Sequence, residues 1–176
     1  SHPELSLYPT DISLLYAYFP GYVAAQREPE KLRKRISLVM EKALRYGLGL
    51  SGDSENHETI VRAMIHGVLS RLSDDALTRR KDVLNALVMS WREVSGASDG
   101  TGVVLKETSQ AIHFRALREA LPNTRFLHLM RDPRDNYAAI KAGVTRYYSA
   151  LGERERASLA SVLNRVQVDT RAARSN

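Results

Sequence analysis

Two short stretches hold the residues that could do chemistry. VVLKE, at 103–107, ends in Lys106 and Glu107. RFLHLMRDPRD, at 125–135, runs from apolar residues straight into Arg131, Asp132, Arg134 and Asp135 around Pro133. A cation just past a buried strand suits an anion-binding edge, because ligands of open parallel sheets bind beyond the carboxyl ends of the strands. Asp132 is a fair N-cap and Pro133 fits a first helical turn. The exposed N–H groups of that helix start would sit beside Arg131 and favour a phosphate-sized anion. Arginine adds a bidentate contact to phosphate oxygens. The plainer reading is a capped surface turn with local ion pairs. If both strands are parallel, Lys106 and Arg131 lie at one sheet edge, and two converging cations favour the site.

Composition limits the chemistry. The chain has 176 residues, enough for a domain with a real core. It contains no cysteine, which removes disulfides, thiolate metal sites and a cysteine nucleophile, and suits a reducing, cytoplasmic compartment. No apolar stretch is long enough to span a membrane, and SHPELSLYP has neither the basic nor the apolar region of a signal peptide. The net charge of +6 and pI of about 9.7 suit an anionic partner: nucleotide, phosphate, sulfate or nucleic acid. No dense metal-ligand motif is present.

The elements that must position these residues are read from periodicity. Residues 1–28 read as irregular, punctuated by Pro3, Pro9, Pro20 and Gly21, with a short helix over 11–19. Pro29 opens a helix with a stripe of Leu32, Ile36, Val39, Met40 and Ala43, capped at Gly47. Ile60, Val61, Met64, Ile65, Val68, Leu69 and Leu72 predict a second helix. Ser73, Asp74 and Asp75 open a third, with Val83, Leu84, Leu87, Val88 and Trp91 as its stripe. Residues 102–107 and 125–130 read as strands, 109–122 and 132–151 as helices. That order implies a right-handed crossover and a parallel sheet. The expectation is a single, partial α/β domain over 1–176. It has a mainly helical insert at 22–98 and a β-α-β-α core at 102–150. Two strands make a poor sheet, and no third is evident between 1 and 100.

The quoted residues resemble the sulfotransferase family. VVLKE, a helix, and then PNTRFLHLMRDPRDNYAAI are similar to its lysine-bearing strand end and its strand of the form F-I-H-L-x-R-D-P-R-D. SHPELSLYP resembles the S/D-x-H-P-E-L stretch that follows the family's P-loop helix. The likeness is firm over 103–142 and looser over 1–20. It implies a P-loop-like parallel sheet flanked by helices, with 3′-phosphoadenosine 5′-phosphosulfate as donor co-substrate and no metal. It implies sulfuryl transfer to a hydroxyl or amine of a small-molecule, peptide or glycan acceptor, with no nucleic-acid or membrane partner. Arg131 takes the place of the 3′-phosphate arginine. Ala139 stands where the family has a serine on the same phosphate. Lys106 is the candidate for the sulfuryl or bridging oxygen. Asp11 lies near the position of a catalytic carboxylate in the tyrosylprotein branch, and Glu107 is its rival as base. The family's glycine-rich loop, G-x-x-R-S-G-T-T, would precede SHPEL, and a further strand would follow 176. The resemblance therefore implies a piece of a longer enzyme, with an incomplete donor site as given. The alternatives are a P-loop nucleotide or small-molecule kinase, which would need Mg²⁺ and a Walker lysine, and a truncated domain that binds without catalysis.

Overall fold

Apolar periodicity converts directly into three helices in the computed structural model of the chain. It describes residues 4–12, 28–49, 55–98 and 100–107 of one compact unit, Ser1–Thr108. In a second unit, Ser109–Asn176, it describes 118, 121–127, 129, 132, 135, 138, 142, 167 and 171. The architecture is mixed α/β and rich in helix, with a two-stranded parallel sheet among the described residues. No described helix is long and apolar enough to cross a membrane.

The first unit runs β1 (Leu5–Asp11), α1 (Pro29–Gly47), α2 (Glu55–Ser70), α3 (Asp74–Leu77), α4 (Arg80–Ser95) and β2 (Gly102–Lys106). β1 corrects the sequence reading, which left 1–28 irregular and began a helix at Asp11. Asp11 is the last residue of a strand, and the strand missing between 1 and 100 is Leu5–Asp11. Leu5-Ser6-Leu7-Tyr8 alternates with the period of a half-covered strand. Ser6 and Tyr8 face α4, whereas Leu5 and Leu7 are exposed. Residues 13–19 of the expected helix lie outside the described residues.

α1 follows its predicted stripe closely. Pro29 occupies the first turn, and Leu32, Ile36, Met40, Ala43 and Leu44 are buried. Its C-cap differs from the expectation. Leu48 caps with right-handed backbone, and Gly49, at φ +69°, takes the left-handed turn expected at Gly47. Gly47 is still helical and serves a different need, the close approach of β1.

α2 buries Val61, Met64 and Val68 against α4, with Leu72 just beyond its end. Arg33 of α1 closes that end: it donates to the carbonyls of Leu69 (3.1 Å) and Leu72 (2.6 Å) and to Asp74 (2.9 Å). These carbonyls belong to the turn where a helix runs out of internal donors. A second link between α1 and α2 is Arg45, which pairs with Glu58 and Glu41. The Arg45 hydrogen bond holds the Glu58 carboxyl below its ordinary range.

The single helix expected from Ser73 is split. Ser73 does cap it, its Oγ accepting from the Ala76 N–H at 3.2 Å. α3 then stops after one turn, where the Thr78 hydroxyl donates to the Asp75 carbonyl at 2.8 Å. Arg79 is extended, with its guanidinium paired to both Asp75 and Asp82. α4 restarts at Arg80 and buries Val83, Leu84, Leu87 and Trp91.

Trp91 seats the sheet on this helical layer. Its indole N–H donates to Ser6 Oγ at 2.9 Å, and its ring meets Tyr8 edge-on at 5.5 Å. Tyr8 is 2% exposed, and its hydroxyl has no hydrogen-bond partner among the described residues. A buried hydroxyl without a partner destabilises the fold, so Tyr8→Phe is expected to raise stability by about 1–2 kcal/mol. Burial also pushes the phenol well above the ordinary tyrosine range. A folded pKa above the unfolded one gives stability that is held at neutral pH and lost as pH climbs past the unfolded value. Urea titrations at neutral and alkaline pH should therefore show Tyr8→Phe more stable, with the gap widening at alkaline pH. A less stable variant would show that the hydroxyl is bonded in solution.

The expected strand over 125–130 does not form at Arg125, Phe126, Leu127 or Leu129, which lie outside regular structure. Leu127 is 87% and Leu129 82% exposed. Strand-like composition does not by itself make a strand, which also needs a covered face, and Leu127 and Leu129 lie open to solvent. His128 and Met130 lie outside the described residues. Before the run, Thr124 N–H closes a turn onto Leu121 around Pro122; after it, Asp135, Ala138 and Ala142 are helical, as predicted for 132–151.

Candidate functional site

The two strands run parallel, so their carboxyl ends lie side by side. β1 ends in Asp11 and β2 in Lys106, and the ladder sets these two residues opposite each other. β2 forms because Val103, Val104 and Leu105 favour a pleated chain. β1 is anchored at its start by the Gly102 N–H, which donates to the Glu4 carbonyl at 2.9 Å. At its end the Ile12 N–H donates to the Lys106 carbonyl at 3.0 Å. The backbone hydrogen bond thus ties β1 to the very residue whose side chain is the candidate cation.

Lys106 Nζ stands 3.1 Å from Asp11 Oδ1. The Lys106 side chain is 70% exposed and that of Asp11 32%. The contact is an ion pair, and the Oδ1 that faces the ammonium is itself buried. The arrangement offers an exposed ammonium beside a carboxylate with one buried oxygen. Together they can neutralise an anionic group and accept a proton from a neighbouring hydroxyl.

The sequence-predicted residues divide cleanly. Asp11 and Lys106, 95 positions apart in the chain, are brought together. Glu107 follows Lys106 directly, half-buried and just past the strand end. Arg131 and Ala139 lie outside the described residues, and so does any meeting of Arg131 with Lys106. The feature missed in the sequence is the strand that carries Asp11. Its signal was the alternation Leu5, Ser6, Leu7, Tyr8, which Pro3 and Pro9 obscured. Two other features stand apart from this pair. A shallow groove lined by Arg35, Leu38, Val39, Glu41, Lys42 and Arg45 is built from α1 alone. No cluster of three metal-ligating side chains occurs among the described residues.

No protein-family model, curated protein or solved structure matches the chain.

Proposed function

We propose that this chain is part of a sulfotransferase of P-loop-like α/β fold, using 3′-phosphoadenosine 5′-phosphosulfate as donor. The acceptor is a hydroxyl or amine on a small molecule, peptide or glycan. The observation that carries this reading is the pairing of Asp11 with Lys106 at the carboxyl ends of two adjacent parallel strands. These are the residues that the resemblance makes base and cation, and they were named from segments far apart in the chain. No matched relative supports the reading; it rests on the quoted motifs and on this juxtaposition.

In the proposed reaction the acceptor oxygen or nitrogen attacks sulfur, and the bond from sulfur to the bridging oxygen breaks. Adenosine 3′,5′-bisphosphate leaves with that oxygen and its electron pair. The acceptor's proton passes to the Asp11 carboxylate, whose side chain is partly exposed beside Lys106. Lys106 leaves its pairing with Asp11 to stabilise charge on the sulfuryl and bridging oxygens. Arg131 holds the 3′-phosphate, with Ala139 contributing no hydroxyl. Glu107 takes the base role if Asp11 serves only to hold Lys106.

Calorimetry of the full-length encoded protein with adenosine 3′,5′-bisphosphate and with ATP tests the reading. Tight binding of the bisphosphate without Mg²⁺ is expected. Preferential, Mg²⁺-dependent binding of ATP would replace it with a kinase, and binding of neither would leave a non-catalytic domain. If the bisphosphate binds, Arg131→Ala should weaken it by about 1.5–3 kcal/mol, the scale of a charged hydrogen bond. Unchanged affinity would remove Arg131 from the site.

A further inference from the structure

The strand pairing is irregular where the site is built. Leu5, Ser6 and Leu7 pair in step with Gly102, Val103 and Val104, and pairing resumes with Asp11 opposite Lys106. Tyr8, Pro9 and Thr10 therefore face the single residue Leu105. Unbroken pairing would set Pro9, not Asp11, opposite Lys106. Proline has no N–H to give a ladder, so the break falls where regular pairing would be weakest. Surplus strand residues commonly re-aim a side chain next to a site. Here they exchange a proline for the carboxylate.

The bulge has two seats. Tyr8 is buried against Trp91 of α4. Pro9 and Thr10 rest on the last turn of α1, at Gly47. A Cβ at Gly47 would run into Thr10 Cβ and lie 2.8 Å from both the Pro9 carbonyl oxygen and Thr10 Oγ1. Glycine is a poor helix former, and here it stands in the last helical turn where the contact admits no side chain. Just beyond the bulge, the Ile12 N–H closes on the Lys106 carbonyl.

We infer that Gly47 is a positioning residue for the Asp11–Lys106 pair. Its bare helix end seats the bulge, and the bulge delivers Asp11 to Lys106. The catalytic meaning of that position rests on the sulfuryl-transfer reading, but the positioning itself does not.

Amide hydrogen exchange on the 176-residue chain separates the two ends of β1. The Ile12 amide reports the site end, through its bond to Lys106, and the Gly102 amide reports the other end, through its bond to Glu4. Gly47→Ala is expected to lower Ile12 protection about tenfold or more, while Gly102 protection and helical circular dichroism hold. Equal loss at both ends would reduce Gly47 to general packing and overturn the inference; so would unchanged protection at Ile12. Should Gly47→Ala fail to fold, Thr10→Gly removes the side-chain part of that contact from the strand side at a half-buried position. It must then show the same asymmetry, and its absence overturns the inference equally. No nucleotide enters this experiment, so its outcome is independent of the calorimetry that decides the donor.

Discussion

Trp91→Ala is expected to destabilise the first unit by about 3–5 kcal/mol, the range for a large aromatic removed from a core. Natural domains are stable by only about 5–15 kcal/mol, so this is a large share of the total. In a unit of this size it corresponds to a fall in Tm on the order of 20 °C. The indole does three things at once. It fills the space between α4 and β1, meets the Tyr8 ring edge-on and donates to Ser6. Trp91→Phe keeps most of the first two and loses the donor, so it should cost only about 1 kcal/mol more than a neutral exchange. Thermal melts followed by circular dichroism measure both variants. A Trp91→Ala cost below about 1 kcal/mol would show that β1 does not depend on α4 for its seat.

The second large effect falls on rate rather than stability. In the full-length protein, Lys106→Ala should lower kcat for sulfuryl transfer about 10²–10³-fold, the usual loss when one preorganised donor to a developing charge is removed. Stability should barely move, because Lys106 is 70% exposed and an exposed ion pair contributes little. Initial rates across donor concentrations, with a parallel melt, give both numbers. A raised KM with unchanged kcat would make Lys106 a ground-state binding residue. An unchanged kcat/KM would remove it from the reacting group and take the central support from the proposed function. Asp11→Asn adds a second discrimination. Loss of rate with the Lys106 variant adding little would mark the two as one working unit; independent losses would mark separate roles.

Much of the helical layer was legible residue by residue. Leu32, Ile36, Met40 and Ala43 were named from spacing and are buried; so were Val61, Met64, Val68 and Leu72, and so were Val83, Leu84, Leu87 and Trp91. Helix hydrogen bonds join residues four apart, so the pattern that selects a helix lies within its own few turns. The same locality made Ser73 readable as a cap. The interruption at Thr78 and Arg79 was harder to read, because the apolar spacing continues across it and the break comes from a hydroxyl competing for a helix carbonyl.

The sheet was decided elsewhere. β2 was readable from its β-branched run, and Lys106 was singled out at its end. Its partner was not, because parallel pairing joins Leu5–Asp11 to Gly102–Lys106 across almost the whole first unit. Residues 125–130 show the converse: an apolar run with strand composition, yet no strand at its described positions. Strand-like composition permits pairing but does not supply a partner. Asp11 and Lys106 could each be proposed from the sequence as chemistry-bearing residues. That they stand 3.1 Å apart was decided by the tertiary structure, through a strand returning to its distant neighbour. A bulge seated on Gly47 then shifts the register by two residues, and that shift depends on a helix distant in the chain rather than on the strand's own pattern.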